Sequence, residues 1–115
     1  MRLPNAKHAV IEDSKISQYL LSEGHEDGRG KAEFFKSFGF SPLEPEVLRQ
    51  ALFELARRSD DAIVQPSPHG MKYVIVGRIQ APNGDSPVVK TVWMIDNGAT
   101  RPRLITAFPG KRLSK

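Results

Sequence analysis

The stretch Gly24-His25-Glu26-Asp27-Gly28-Arg29-Gly30-Lys31-Ala32-Glu33-Phe34-Phe35 sets a histidine, an arginine and a lysine among three glycines, where a helix is expected to begin. Free backbone N–H groups and the positive dipole end attract anions to a helix N-terminus. Placing Arg29 and Lys31 there works against the helix, because cations are stabilising at the opposite end. Such an arrangement suits a bound negative group, a phosphate first of all. His25 adds the side chain whose unperturbed pKa suits proton transfer near neutrality. The competing reading is an exposed interhelical loop, with its glycines serving as C-cap and turn.

Several chemistries find no support in the sequence. There are no cysteines, so disulfides and thiolate zinc sites are absent. His8, His25 and His69 are far apart and no carboxylate cluster joins them at ligand spacing, so no metal or other cofactor is expected. No glycine-rich phosphate loop follows a strand, and no Gly-x-Ser-x-Gly turn offers a nucleophile. What remains is a cation-rich segment with a histidine. Such a set can cleave RNA without metal: a base takes the ribose 2′-OH proton, that oxygen attacks the adjacent phosphate, an acid protonates the leaving 5′-oxygen, and a cation holds the charged phosphorane. Further candidates lie downstream. Arg78 shares a strand face with Val74 and Val76 and is either solvent-facing or a phosphate contact. Arg103, beside Pro102 and near Thr106, suits a phosphate clamp. His69 between Pro68 and Gly70 reads as a turn residue, and Trp93 as core or a base-stacking platform.

These residues must be positioned by one domain. At 115 residues the chain is long enough to bury a core without staples. Its 17 Lys+Arg against 13 Asp+Glu give a net charge of +4 and a pI near 9.6, compatible with a nucleic-acid partner without requiring one. No apolar run approaches a membrane span and no signal-peptide core opens the chain, so a cytoplasmic protein is expected.

The periodicity predicts a helical half over about 9–58 and a sheet half over about 62–109. An edge strand leads into Ala9-Val10-Ile11. Asp13 or Ser14 caps a short helix with Ile16, Tyr19 and Leu20 on one face, ended by Gly24. A second helix runs from about Lys31 to Phe38, burying Phe34, Phe35 and Phe38, and Gly39 stops it. Ser41-Pro42-Leu43-Glu44 reads as a capping box, complicated by Pro45. The helix after it reaches about Arg58, with Leu48, Leu52 and Leu55 on one stripe and Val47 and Ala51 beside it. Strands are expected at Ala62–Gln65, Lys72–Ala81, Val88–Asp96 and Arg103–Phe108. Pro66 to Gly70 reads as a loop, and Pro82-Asn83-Gly84-Asp85 and Asn97-Gly98 as turns. Helices followed by a strand meander make an α+β domain with an antiparallel sheet.

A His and a Lys in a Gly-rich segment, then a meander closing on Leu104-Ile105-Thr106-Ala107-Phe108-Pro109, resemble the barnase/EndoU/colicin/RelE (BECR) superfamily of bacterial nucleases. The closing strand is similar to that of EndoU-like and contact-dependent toxin domains. There a Ser or Thr touches the scissile phosphate, a role that falls on Thr106, while the His and Lys fall on His25 and Lys31. The chain also resembles an uncharacterised bacterial family through Tyr19-Leu20-Leu21, His25, Gly28 to Ala32, Trp93 and Pro102-Arg103-Leu104. The resemblance implies an endoribonuclease toxin acting on tRNA or mRNA, with a cognate antitoxin or immunity protein. The alternative is a non-catalytic RNA- or protein-binding module of antitoxin or immunity type. One departure stands out: EndoU-like enzymes use two histidines from the helical region, and here only His25 is available, leaving His69 or Lys31 for the second role. If Lys31 and Thr106 serve one phosphate, the second helix must begin facing the final strand, with the two side-chain tips within roughly 10 Å. His25 would open onto the same cleft, with Arg103 or Arg78 at its rim.

Overall fold

Helix and strand segregate along the chain as the two sequence periods require. The computed structural model describes residues 2–16 and 29–110, the backbone alone at 29–31. A 3₁₀ turn, Ala6–His8, is followed by α1 (Asp13–Lys15), α2 (Arg29–Ser37) and α3 (Pro45–Arg58). Strands β1 (Ile63–Ser67), β2 (Gly70–Arg78), β3 (Val88–Asp96) and β4 (Arg103–Pro109) follow. All neighbouring pairs are antiparallel, in the spatial order β1-β2-β3-β4. This is the expected α+β arrangement.

Helix α3 supports the sheet at β2. Leu48, Leu52 and Leu55 recur at helical spacing and are buried, each burial worth about 1.5–3 kcal/mol. The helix packs on β2, and a Cβ at Gly77 would stand 2.7 Å from Leu55 Cδ1, so glycine permits the close approach. Helix α2 packs against β4. Its Phe35 is fully buried, whereas Phe34 and Phe38 are half-buried and meet edge to face at 5.2 Å. Gly39, at φ 99°, ends it in a backbone region that glycine enters without strain.

Cross-strand partners share a face, so the register sorts the sheet's side chains. Tyr73–Trp93–Leu104 and Ile75–Thr91–Ala107 face the helices and join the core. There Trp93 Nε1 donates to Thr91 Oγ1 at 2.9 Å, and that hydroxyl donates to the Ile75 carbonyl at 3.0 Å. Trp93 is therefore core and not a stacking platform. The rungs Lys72–Met94–Arg103, Val74–Val92–Thr106 and Val76–Lys90–Phe108 lie on the opposite, open face.

That division depends on an irregularity in β4. Trp93 pairs with Leu104 and Val92 with Thr106, leaving Ile105 as an extra residue. Strict alternation would put Leu104, Thr106 and Phe108 on one face. The bulge separates them, sending Leu104 and Ala107 into the core and Thr106 and Phe108 outward.

Five local expectations are corrected. The entry segment and residues 9–11 form no strand over the described residues 2–11; Val10 makes a single parallel bridge to Arg103. The residue preceding α1 is Glu12, without a side-chain cap, and Asp13 lies in the first turn; Tyr19, Leu20 and Gly24 lie outside the described residues. The Ser41 box does not cap α3: the Ser41 hydroxyl accepts from the Leu43 N–H at 3.1 Å, and the helix starts at Pro45, because proline disfavours helix at Glu44 and suits the first helical position. Pro66 and Ser67 belong to β1, which turns through Pro68-His69 directly into β2; an edge strand tolerates the missing proline donor. Val47, placed beside the buried stripe, is exposed.

Candidate functional site

Of the candidate residues, Arg29 and Lys31 fall on α2, Arg78 on β2, His69 in the β1–β2 turn, and Arg103 and Thr106 on β4. His25 lies outside the described residues. Arg29 and Lys31 open α2, as their spacing suggested. The other end of α2 is tied down where the Asn83 N–H donates to the Phe38 carbonyl at 3.2 Å, at the β2–β3 turn. Between those ends the helix packs against β4, the strand that carries Thr106 at the edge of the sheet.

Thr106 occupies the central rung of the open face, half-buried, with Phe108 two residues on. Arg103 lies on the same face and is committed to an ion pair. Its Nε donates to one Asp96 oxygen at 2.7 Å and its Nη2 to the other at 3.1 Å. This two-pronged hydrogen bond holds the Asp96 carboxyl below its ordinary range, against a smaller opposing effect of desolvation, and raises Arg103 further. The field of His69 adds a small pull in the same direction on Asp96. His69 itself is exposed in the β1–β2 turn, with its carbonyl accepting from the Asn97 N–H at 3.0 Å.

Arg78 is exposed at the far end of β2, where its Nη1 donates to the Ser86 carbonyl at 2.7 Å. It stands six residues beyond Lys72, which pairs through Met94 with Arg103. At ~3.3 Å per residue that is about 20 Å, too far for Arg78 and Arg103 to hold one phosphate. The structure thus brings Arg103, His69 and Asp96 to one end of the open face, puts Thr106 in its middle and leaves Arg78 at the other end.

Two cations were missed. Lys72 and Lys90 belong to the open face, and Lys90 Nζ sits 5.5 Å from the Phe108 ring centroid, a cation–π distance. Beside that pair runs a groove of about 470 Å³ formed with Gln65, Val74 and Val76. The signal was present in the sequence, since Lys72 alternates in phase with Val74, Val76 and Arg78. Among the described residues no group of three or more His, Cys, Asp or Glu could hold a metal ion. No described helix is long and apolar enough to cross a membrane.

No curated protein matches the chain. Among solved structures, a chain of the complex described as "Contact-dependent growth inhibition toxin - immunity protein complex from Klebsiella pneumoniae 342" is similar, with a TM-score of 0.71 and 16% identity. The alignment covers 88% of this chain and 99% of that one. At such identity the likeness is one of fold. The family model described as "Domain of unknown function (DUF6883)" matches residues 2–111, nearly the whole sequence, and the chain belongs to that family.

Proposed function

We propose that this chain is a small ribonuclease of BECR type, acting as a bacterial toxin on cytoplasmic RNA and countered by a cognate protein. The observation that carries the reading is the position of Thr106: the bulge at Ile105 turns it onto an open, basic sheet face, on the edge strand against which α2 packs. Thr106 would hold the phosphate on the open face, with Arg29 and Lys31 reaching it around the edge strand β4 from the side on which α2 packs; Arg103 on β4 and, about 20 Å away on β2, Arg78 would hold flanking backbone. His25, or His25 with His69, would move the protons. In the reaction the 2′-oxygen forms a bond to phosphorus as its proton leaves to a base. The bond from phosphorus to the 5′-oxygen breaks, and that oxygen takes a proton from an acid. The donors around the phosphate stabilise the charge that builds on it.

The toxin part of the reading draws on the fold likeness to a chain of a complex whose title names both a toxin and an immunity protein. That title also admits a non-catalytic, immunity-type role. One observation favours this second reading: the Arg103 guanidinium is already satisfied by Asp96. Incubation with RNA in EDTA separates the two. Cleavage that leaves 2′,3′-cyclic phosphate ends, spares DNA and disappears in His25→Ala with RNA affinity kept is the result expected of the nuclease. Intact RNA sinks it.

A further inference from the structure

A second cationic cluster lies apart from the open face. Arg2, Asn5, Lys7, His8 and Arg57 frame a cavity of about 370 Å³, and the residues that frame it include no carboxylate. Two of its guanidinium groups are held in place. Arg2 Nη2 donates to the Arg57 carbonyl at 2.6 Å, in the last turn of α3. The Arg57 guanidinium lies 5.2 Å from the Phe53 ring centroid. Cations fixed before binding lose less freedom when an anion arrives, and a concave wall of one sign concentrates counter-charge.

The cavity connects to the open face by direct hydrogen bonds. Asn5 Nδ2 donates to the Thr100 carbonyl at 2.7 Å, and Arg101 Nε donates to the His8 carbonyl at 3.2 Å. The Val10 N–H donates to the Pro102 carbonyl at 2.8 Å, and the next residue, Arg103, stands on the open face. Arg57, Arg2, Lys7, His8 and Arg101 therefore form one basic track around the end of the sheet, which reaches Arg103 where Asp96 pairs with it. A single phosphate or a dinucleotide would occupy one end of it; a polyanion can use both.

We propose that the cavity between Arg2, Lys7, His8 and Arg57 binds the phosphate backbone of RNA away from the cleavage centre, so that the substrate is a long or folded RNA. This rests on RNA being the ligand of the open face. Arginine pairs suit phosphate through their two-pronged donor geometry, and interactions of this kind position a strand without reading its sequence.

The test uses a 2′-O-methyl RNA stem–loop with a single-stranded tail, which cannot be cleaved by this chemistry. Its binding is followed by fluorescence anisotropy across a salt series. Lys7→Gln/Arg57→Gln should lower affinity about tenfold at low salt, and flatten the log K against log[salt] slope by about one for each phosphate no longer neutralised. Both side chains are exposed, and Arg101→Gln on the connecting track should act in the same direction by a smaller factor. Lys36→Gln, on the last turn of α2, gives the effect of removing a charge off the track. A pair variant that binds like the parent, or losses per charge no greater than that of Lys36→Gln, would overturn the proposal, as would a parent that binds no RNA. Stem–loop binding with the expected salt dependence, but no cleavage of 2′-OH RNA, leaves this site standing and removes the nuclease reading.

Discussion

Arg103 faces two claims on its charge: the Asp96 carboxylate it holds, and any phosphate laid across the open face. Because Asp96 is held below its unfolded value, the pair's contribution to stability is complete above the ordinary aspartate range and fades as pH falls through the lowered pKa. Asp96→Asn should flatten that acid-side slope with little effect at neutral pH, as expected for an exposed pair. If Arg103 touches phosphate, the same variant should bind RNA several-fold more tightly at neutral pH; unchanged affinity would take Arg103 out of the site. A buried counterpart behaves differently. Thr91→Val removes the hydroxyl between Trp93 and the Ile75 carbonyl and leaves an indole N–H without its partner in the core. A loss of about 1–3 kcal/mol in urea denaturation is expected; a neutral result would mean that water reaches Trp93. The core role of Trp93 was legible in its residue type. The Arg103–Asp96 pair was not, because nothing in the sequence sets the register that joins strands seven residues apart.

The bulge in β4 carries an expectation that runs against intuition. Deleting a residue from a core strand ordinarily flips every later side chain to the wrong face. Deleting Ile105 should not, because Leu104 would still pair with Trp93 and Thr106 with Val92 in a regular ladder. The cost should be near 1–2 kcal/mol, from the lost half-buried side chain, whereas deleting Ala107 should unfold the domain. Equal damage from the two deletions, measured by thermal melts, would refute the bulged register. The sequence offered no sign of this bulge, since isoleucine is an ordinary strand residue and no glycine marks the place. Helix α3 and the turns were legible because leucine spacing and the Asn-Gly steps act locally. The first hairpin was misread because Pro66 and Pro68 resemble loop punctuation, and only the position of β1 at the edge makes Pro66 acceptable in a strand.

Across the whole molecule, the order of helices and strands followed from periodicity, while the division of the sheet into a covered and an open face did not. The sequence offers Arg103 or Arg78 for the rim of one cleft, and the length of a strand keeps the two apart, so there they serve as alternatives and not together. Lys72 and Lys90 became visible as a pair only once two strands were aligned. The first ten residues also have a consequence for how the fold tolerates change. They close the structure against Thr100 to Leu104, some 95 positions away, and each link ends on a main-chain carbonyl: those of Thr100, His8, Pro102 and Val10. Two of the four use main-chain atoms at both ends. Main-chain groups are present whatever side chain is written at a position. Much of the lock joining the two ends of the fold is thus spelled in atoms that substitution leaves in place, so sequences can drift far apart while the same architecture stays shut.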